Sequence, residues 1–327
     1  VAQLRDRNEP VPALLSRHGL SGVDWRPLSH GGFSGATLLA GRDGAGRSWV
    51  LKRTCRRDDW IMKATADVHG RECGLAKVGL LLGERVRSAA VDGVRAGRHF
   101  YTLMRDISDR MDLRVLDRPA LEGVITGMAA LHAEQYEAPA HYWCSLEDRL
   151  LLLTRGIRAL RGGHDMNGLA QQVRTGWELF ARRAPRDVRD LVEAVRADAA
   201  VLAPALAVLP TTSLHGDLKL DNMGLDRSGV LWLIDWALAV RGPACVELGW
   251  FIAVNSGCLS LGPQQVVDLY TDVSALDPAL HHRHAAMTAF CGLLLRGWRI
   301  ALDLQSTGRT DEFAWWCRLA AEAAQYM

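Results

Sequence analysis

Residues 215–222 read His-Gly-Asp-Leu-Lys-Leu-Asp-Asn, and residues 233–236 read Leu-Ile-Asp-Trp. No other feature constrains the fold of this chain as tightly. Asp217 and Asn222 fit at the two ends of one tight loop, with both side chains facing the same point. Residues 223–225 and 230–234 read as two short strands, and Asp226-Arg227-Ser228-Gly229 between them is rich in turn formers. A hairpin of that size carries Asp235 back beside Asn222. Two carboxylates and one amide oxygen then converge. Magnesium favours a few protein oxygens completed by water and phosphate oxygens. This inventory suits phosphoryl transfer, with Asp217 as the base and Asn222 and Asp235 as magnesium ligands.

The first third of the chain offers a site for a nucleotide. Residues 23–28, 36–40 and 49–52 read as strands, and the turn between the first two is Ser29-His30-Gly31-Gly32-Phe33-Ser34-Gly35. Gly31, Gly32 and Gly35 let backbone N–H groups approach phosphate oxygens with no Cβ in the way, and Phe33 and Ser34 belong to the same candidate loop. Lys52 lies on the strand after this hairpin, where it would pair with phosphates. Its partner should be an acid on the next helix. Residues 60–86 read as one long helix, with Ile61, Ala64, Val68, Leu75, Val78 and Leu81 at helical spacing. Glu72 in its middle is the expected partner and Asp67 the alternative. A second hairpin, residues 91–94 and 98–104, leads into Met104-Arg105-Asp106, where an adenine would bond to the backbone between two lobes.

The remainder reads as largely helical, over residues 120–133, 146–161, 168–183 and 188–208. His132 reads as a capping or packing residue. The chain has 327 residues, 49% of them apolar, which is enough for two lobes with buried cores. A net charge of +2 argues against a nucleic-acid partner held by bulk positive charge. Residues 1–105 hold 18 Lys and Arg against 10 Asp and Glu, while residues 106–327 hold 21 against 27. That split suits a nucleotide on one side and a neutral or cationic acceptor on the other. Seven cysteines are scattered with no C-x-x-C pair, which points to a reducing cytoplasm rather than a disulfide framework. His281-His282-Arg283-His284 reads as a solvated helix start rather than a metal site. No run approaches 18 apolar residues, so no membrane partner is expected. Trp143, Trp250, Trp298, Trp315 and Trp316 either stack on an acceptor or pack the core. Glu247, Asp311 and Glu312 are candidate partners for an amine.

These residues resemble the aminoglycoside phosphotransferase family of small-molecule kinases. The resemblance covers nearly the whole chain. It rests on residues 31–35, Lys52, Glu72, Leu131-His132-Ala133, residues 215–222, Ile234-Asp235-Trp236 and the helix over 243–255. It implies an α+β, bilobal, protein-kinase-like fold. The N-lobe, residues 1–104, would bind nucleotide with an antiparallel sheet and one long helix. The mainly helical C-lobe, residues 105–327, would carry the catalytic loop and the acceptor-binding helices. By the same resemblance Asp217 is the catalytic base and His215 supports the loop. Asn222 and Asp235 hold magnesium, and Lys52, held by Glu72, binds the phosphates of ATP or GTP. The acceptor would be a hydroxyl of an antibiotic, an amino sugar or a related metabolite.

Two positions depart from the family pattern. Lys219 stands where members often have His-Pro or similar, and it suits neutralising charge on the transferring phosphoryl group. Glu247 replaces the usual Asp of the following helix, which puts the local loop geometry in question. Protein kinases need a long activation segment and an A-P-E anchor, and neither lies between Asp235 and the helix starting near Cys245. A small-molecule acceptor is therefore favoured over a protein. The complete set of Lys52, Glu72, Asp217, Asn222 and Asp235 disfavours a pseudokinase scaffold without turnover.

Overall fold

The computed structural model describes residues 10–29, 34–80, 82–110, 116–134, 136–154, 157 and 168–327. Its first part is built on β1 (Arg26–Leu28), β2 (Thr37–Arg42), β3 (Ser48–Thr54), β5 (Ala90–Ala96) and β6 (His99–Arg105). These pair antiparallel in the order β1-β2-β3-β6-β5. Side chains alternate across the sheet along β3. Trp49 and Leu51 pack with Val11, Leu14 and Leu15 of α1 (Pro10–Arg17), which covers one face. Lys52 projects from the other face, toward the rest of the molecule.

The single helix expected over residues 60–86 is two short ones, α2 (Trp60–Ala64) and α3 (Arg71–Val78). Two aspartates cause the division. Asp59 caps α2 by accepting from the Met62 N–H at 3.0 Å. Asp67 starts α3 by accepting from the N–H groups of Gly70 at 2.8 Å and Arg71 at 2.9 Å. Between them Ala66 takes φ +48° and Gly70 takes φ +68°, values that no continuous helix contains. Apolar spacing alone passes over such a break: of the stripe, Leu75 is buried, whereas Val68 and Val78 are exposed.

Strand β4 (Val86–Ser88) leaves the first sheet and pairs parallel with β9 (Leu231–Leu233), which pairs antiparallel with β8 (Met223–Leu225). The hairpin expected after residues 215–222 is thus present, and β4 ties it to the first part of the chain. The rest is helical: α4 (Arg118–Ala133), α5 (Leu146–Leu150), α6 (Leu169–Arg183), α7 (Arg186–Ala197), α8 (Ala203–Ala207), α9 (Ala244–Asn255), α10 (Pro263–Val273), α11 (His281–Thr307) and α12 (Thr310–Ala323). The helix expected over 146–161 is described only in part, and its first turn is α5. A short ribbon of β7 (Thr211–Leu214) and β10 (Val240–Pro243) brackets residues 215–239.

Helix α11 is the centre of the helical core, against α6, α9 and α12. The segment Pro278–Thr307 has the length and hydropathy of a membrane span, yet 78% of its apolar window is buried inside the protein. All seven cysteines are free, as expected, and six of them are buried.

Candidate active site

The residues of the His215–Asn222 loop converge because each neighbouring element holds one of them. His215 is fully buried. Its Nε2–H donates to the Ile234 carbonyl at 2.8 Å, and its Nδ1 accepts from the Asp217 N–H at 3.2 Å. The ring therefore links the loop to the segment that carries Asp235. Gly216 sits at φ +85°, and a Cβ there would lie 1.9 Å from the Leu238 carbonyl oxygen, so no other residue fits. Asn255, at the end of α9, accepts from the Leu220 N–H at 3.0 Å.

Asn222 donates from Nδ2 to the Asp217 carbonyl and to its carboxylate, both at 2.9 Å. That orientation holds the carboxylate and leaves the Asn222 Oδ1 facing away from it. Lys219 Nζ is 3.2 Å from the same Asp217 carboxylate. The Asp217 charge, assisted by Asp235, raises the Lys219 ammonium above its usual range despite burial.

Lys52 joins the two halves of the site. Its Nζ lies 2.7 Å from Glu72 and 2.8 Å from Asp235, with Lys52 only 6% exposed. Glu72 is thus the partner that the sequence suggested, and Asp67, spent on the start of α3, is not. Burial alone would raise the Asp235 carboxyl. The ammonium groups of Lys52 and Lys219 override that and hold it at about 2. Burial pushes Glu72 upward, since one ammonium serves two carboxylates. Asp235 itself takes φ +65°, ψ 63°, a left-handed conformation that costs about 1–3 kcal/mol outside glycine. Strain of this kind is retained where the side chain must point one way.

Of the glycine-rich segment, Gly31, Gly32 and Phe33 lie outside the described residues. Ser34 and Gly35 are described, and Gly35 takes φ +90°, with an added Cβ only 2.4 Å from the Asp58 carbonyl oxygen. The segment therefore ends against the turn that precedes α2. Met104 is buried in β6, opposite Val50. The Arg105 N–H donates to the Ala89 carbonyl and the Asp106 N–H to the Ser48 carbonyl, while the Asp106 carboxylate caps Ser108.

Several functional supports escaped sequence reasoning. Glu247 is 1% exposed and accepts from the N–H groups of His215, at 3.2 Å, and Gly216. It also accepts from His132 Nε2 at 2.9 Å. Burial would raise this carboxyl, but His132, His215 and the backbone donors bring it below its usual value. It anchors the loop from behind and is not available to an amine. The Glu-for-Asp departure is thus accommodated without loss of the anchor. Arg149, 3% exposed, donates to the Gly216 carbonyl and lies over the Trp250 ring at 4.6 Å. Arg71, also 3% exposed, donates to the Ala237 carbonyl. Nothing local in the sequence marks either arginine. Asp59 is 3% exposed, and burial pushes its carboxyl up to about 6 beside Lys52 and Asp235. Nothing in the sequence marked its closeness to Lys52.

The tryptophans considered for an acceptor wall mostly pack the core, with Trp250, Trp298, Trp315 and Trp316 at most 9% exposed. The expectation of a solvated histidine cluster is corrected in part. His282 is exposed, whereas His284 is 1% exposed, because α11 turns that face into the core.

The sequence matches the model of the phosphotransferase enzyme family over residues 2–286. A search of curated proteins returned no match. Among solved structures, the chain is similar to macrolide 2'-phosphotransferase MphH from Brachybacterium faecium, with 18% identity, coverage of 94% of this chain and 97% of that one, and a TM-score of 0.46. It is similar to choline kinase LicA from Streptococcus pneumoniae at 14% identity, with 97% and 98% covered and a TM-score of 0.47. Aminoglycoside phosphotransferase APH(3'')-Id from Streptomyces rimosus, in complex with ADP and streptomycin, is 16% identical, with 86% and 98% covered and a TM-score of 0.49. Since the family match spans most of its length, this chain belongs to the phosphotransferase enzyme family.

Proposed function

We propose that the protein transfers the γ-phosphoryl group of ATP or GTP to a hydroxyl of a small molecule such as an antibiotic, an amino sugar or a related metabolite. The observation that carries this reading is the meeting of Lys52 with Asp235, 183 residues later, at 2.8 Å, next to an Asp217 held by Asn222 and Lys219. In this reading Asp217 takes the acceptor proton, and Lys52 with Glu72 pairs with the nucleotide phosphates. Lys219 offsets charge that develops on the phosphoryl group.

The donor set fits magnesium. Asn222 turns its amide nitrogen to Asp217, leaving an oxygen for a hard cation, and Asp235 is ionised throughout the neutral range. Magnesium held there by Asn222 and Asp235 would neutralise phosphate charge. Residues 236–243 form one short turn followed by β10, paired to β7, which supports a small acceptor over a protein substrate. The seven free cysteines agree with a reducing cytoplasm.

The test is nucleotide consumption by purified protein with magnesium and ATP or GTP across a panel of aminoglycosides, macrolides, amino sugars, simple sugars and amino alcohols. We expect acceptor-dependent turnover that Asp217→Ala lowers by about 10²–10⁴-fold while nucleotide still binds. Turnover unchanged in that variant would sink the assignment of the base.

A further inference from the structure

Glu72 reaches Lys52 only while α3 keeps its place, and Asp235 reaches Lys52 only while the turn Trp236–Leu238 keeps its own. One side chain joins the two directly. Arg71 opens α3 next to Glu72, and its guanidinium donates to the carbonyl of Ala237, 166 residues later and just beyond Asp235. The same nitrogen lies 3.5 Å from the Thr65 hydroxyl at the end of α2.

Both ends of this bridge are fixed by their surroundings. Asp67 accepts from the Arg71 N–H, and a Cβ on Gly70 would lie 2.3 Å from the Phe100 ring, so the start of α3 sits tight against the sheet. A Cβ on Gly74 would lie 2.0 Å from the Tyr142 ring, so the helix backbone also rests on the segment that follows α4. Arg71 and Gly74 share one face of α3, and that face meets the helical part of the molecule. At the other end, the Ala239 N–H donates to the Trp236 carbonyl at 3.1 Å, and the Leu238 carbonyl abuts Gly216. The Ala237 carbonyl between them takes Arg71.

Stability is a poor reason for this arrangement. Arg71 is 3% exposed and forms no ion pair among the described residues. Desolvation of a buried charge offsets much of what a neutral acceptor returns. A planar donor on a long arm does fix the distance between two backbones. We propose that Arg71 is a positioning residue, tying α3 to the turn after Asp235 so that the Lys52–Glu72 pair and Asp235 are held as one body. The consequence for turnover rests on the phosphotransfer reading. There Lys52 pairs with phosphates while Asp235 would hold magnesium, and a misplacement of about 1 Å between such groups costs about 10²-fold.

The experiment is amide hydrogen exchange of the full chain, without nucleotide, on the unmodified protein, Arg71→Met and Arg71→Lys. Exchange needs no turnover, so the tie can fail while phosphotransfer stands, and the reverse. In Arg71→Met the amides of α3, and those of Ile234 and Ala239 that flank the turn, should exchange about ten- to hundredfold faster, as loss of one charged hydrogen bond implies. Those of α12 should not change. Arg71→Lys keeps a charged donor on a shorter arm and should loosen the same two segments by less. If Arg71→Met fails to fold, Arg71→Lys decides alone. With a turned-over acceptor, kcat of Arg71→Met should fall about 10²-fold while the acceptor KM holds. Absence of turnover in the unmodified chain counts against the phosphotransfer reading, and exchange still decides the tie. Unchanged exchange in both segments, faster exchange in α3 alone, or a rise that extends equally to α12 would each overturn the proposal. So would faster exchange in both segments with kcat unchanged.

Discussion

Glu72 and Glu247 are both buried carboxylates, one paired with Lys52 of the sheet and one behind the His215–Asn222 loop. Glu247 is surrounded by donors that serve it: two backbone N–H groups and His132. Its charge is favoured, and its carboxyl lies below the usual value. Glu72 shares one ammonium with Asp235, and burial pushes it upward. A fully served carboxylate is an anchor. Two carboxylates around one cation leave negative charge that a further cation can offset, which under the proposed function a magnesium ion would bring. The two sides of the loop thus divide rigidity from readiness.

The comparison can be broken most forcefully at its cation. Lys52→Met should lower kcat/KM by about 10³-fold, through loss of a phosphate partner, while the chain still folds, and steady-state kinetics with circular dichroism would read both. An unaltered kcat/KM would remove the claim that the sheet side is the reactive one. On the anchor side the loss should appear in stability instead. Glu247→Ala strands two backbone donors and His132, and chemical denaturation should register a loss of about 3 kcal/mol. If stability holds and only turnover falls, the anchor reading is wrong.

Gly216→Ala tests the loop that both sides share. At φ +85° and against the Leu238 carbonyl, the added methyl should cost about 2 kcal/mol by the same measurement. The smallest effect is expected at Asp59, whose carboxyl is raised from 3.8 to about 6 in the fold. A raised carboxyl favours folding below pH 4 and costs stability once pH passes 6, because the charge must then be carried in a buried place. Asp59→Asn keeps the cap oxygen but accepts the N–H more weakly than a carboxylate, so of the roughly 3 kcal/mol that this rise implies it should recover about 1 kcal/mol at pH 8 and nothing at pH 4. An equal gain at both pH values would mean that charge burial is not the cause.

Much of this site was legible before the fold was known. His215, Asp217, Asn222 and Asp235 lie within 21 residues, and a loop and a short hairpin suffice to bring them together. Glu72 was found because a lysine on β3 needs an acid from the following helix. The errors have local causes. One apolar stripe over residues 60–86 hid the break at Ala66 and Gly70, since periodicity is blind to caps and counts Val68 and Val78, which the fold leaves exposed. His284 was taken for a solvated residue because its neighbours are polar, while the register of α11 turns it inward.

The sequence by itself determined the chemistry: which residue types meet over short spans of chain, and hence the class of group they can transfer. Only the tertiary structure decided which charges are shared and which are served. Arg149 and Glu247 reach the loop from other elements, and Asp59 comes near Lys52 through the turn after β3, each through burial that removes water as a competing partner. Spacing along a sequence carries no record of that, because the energy of a buried charge depends on what surrounds it in space.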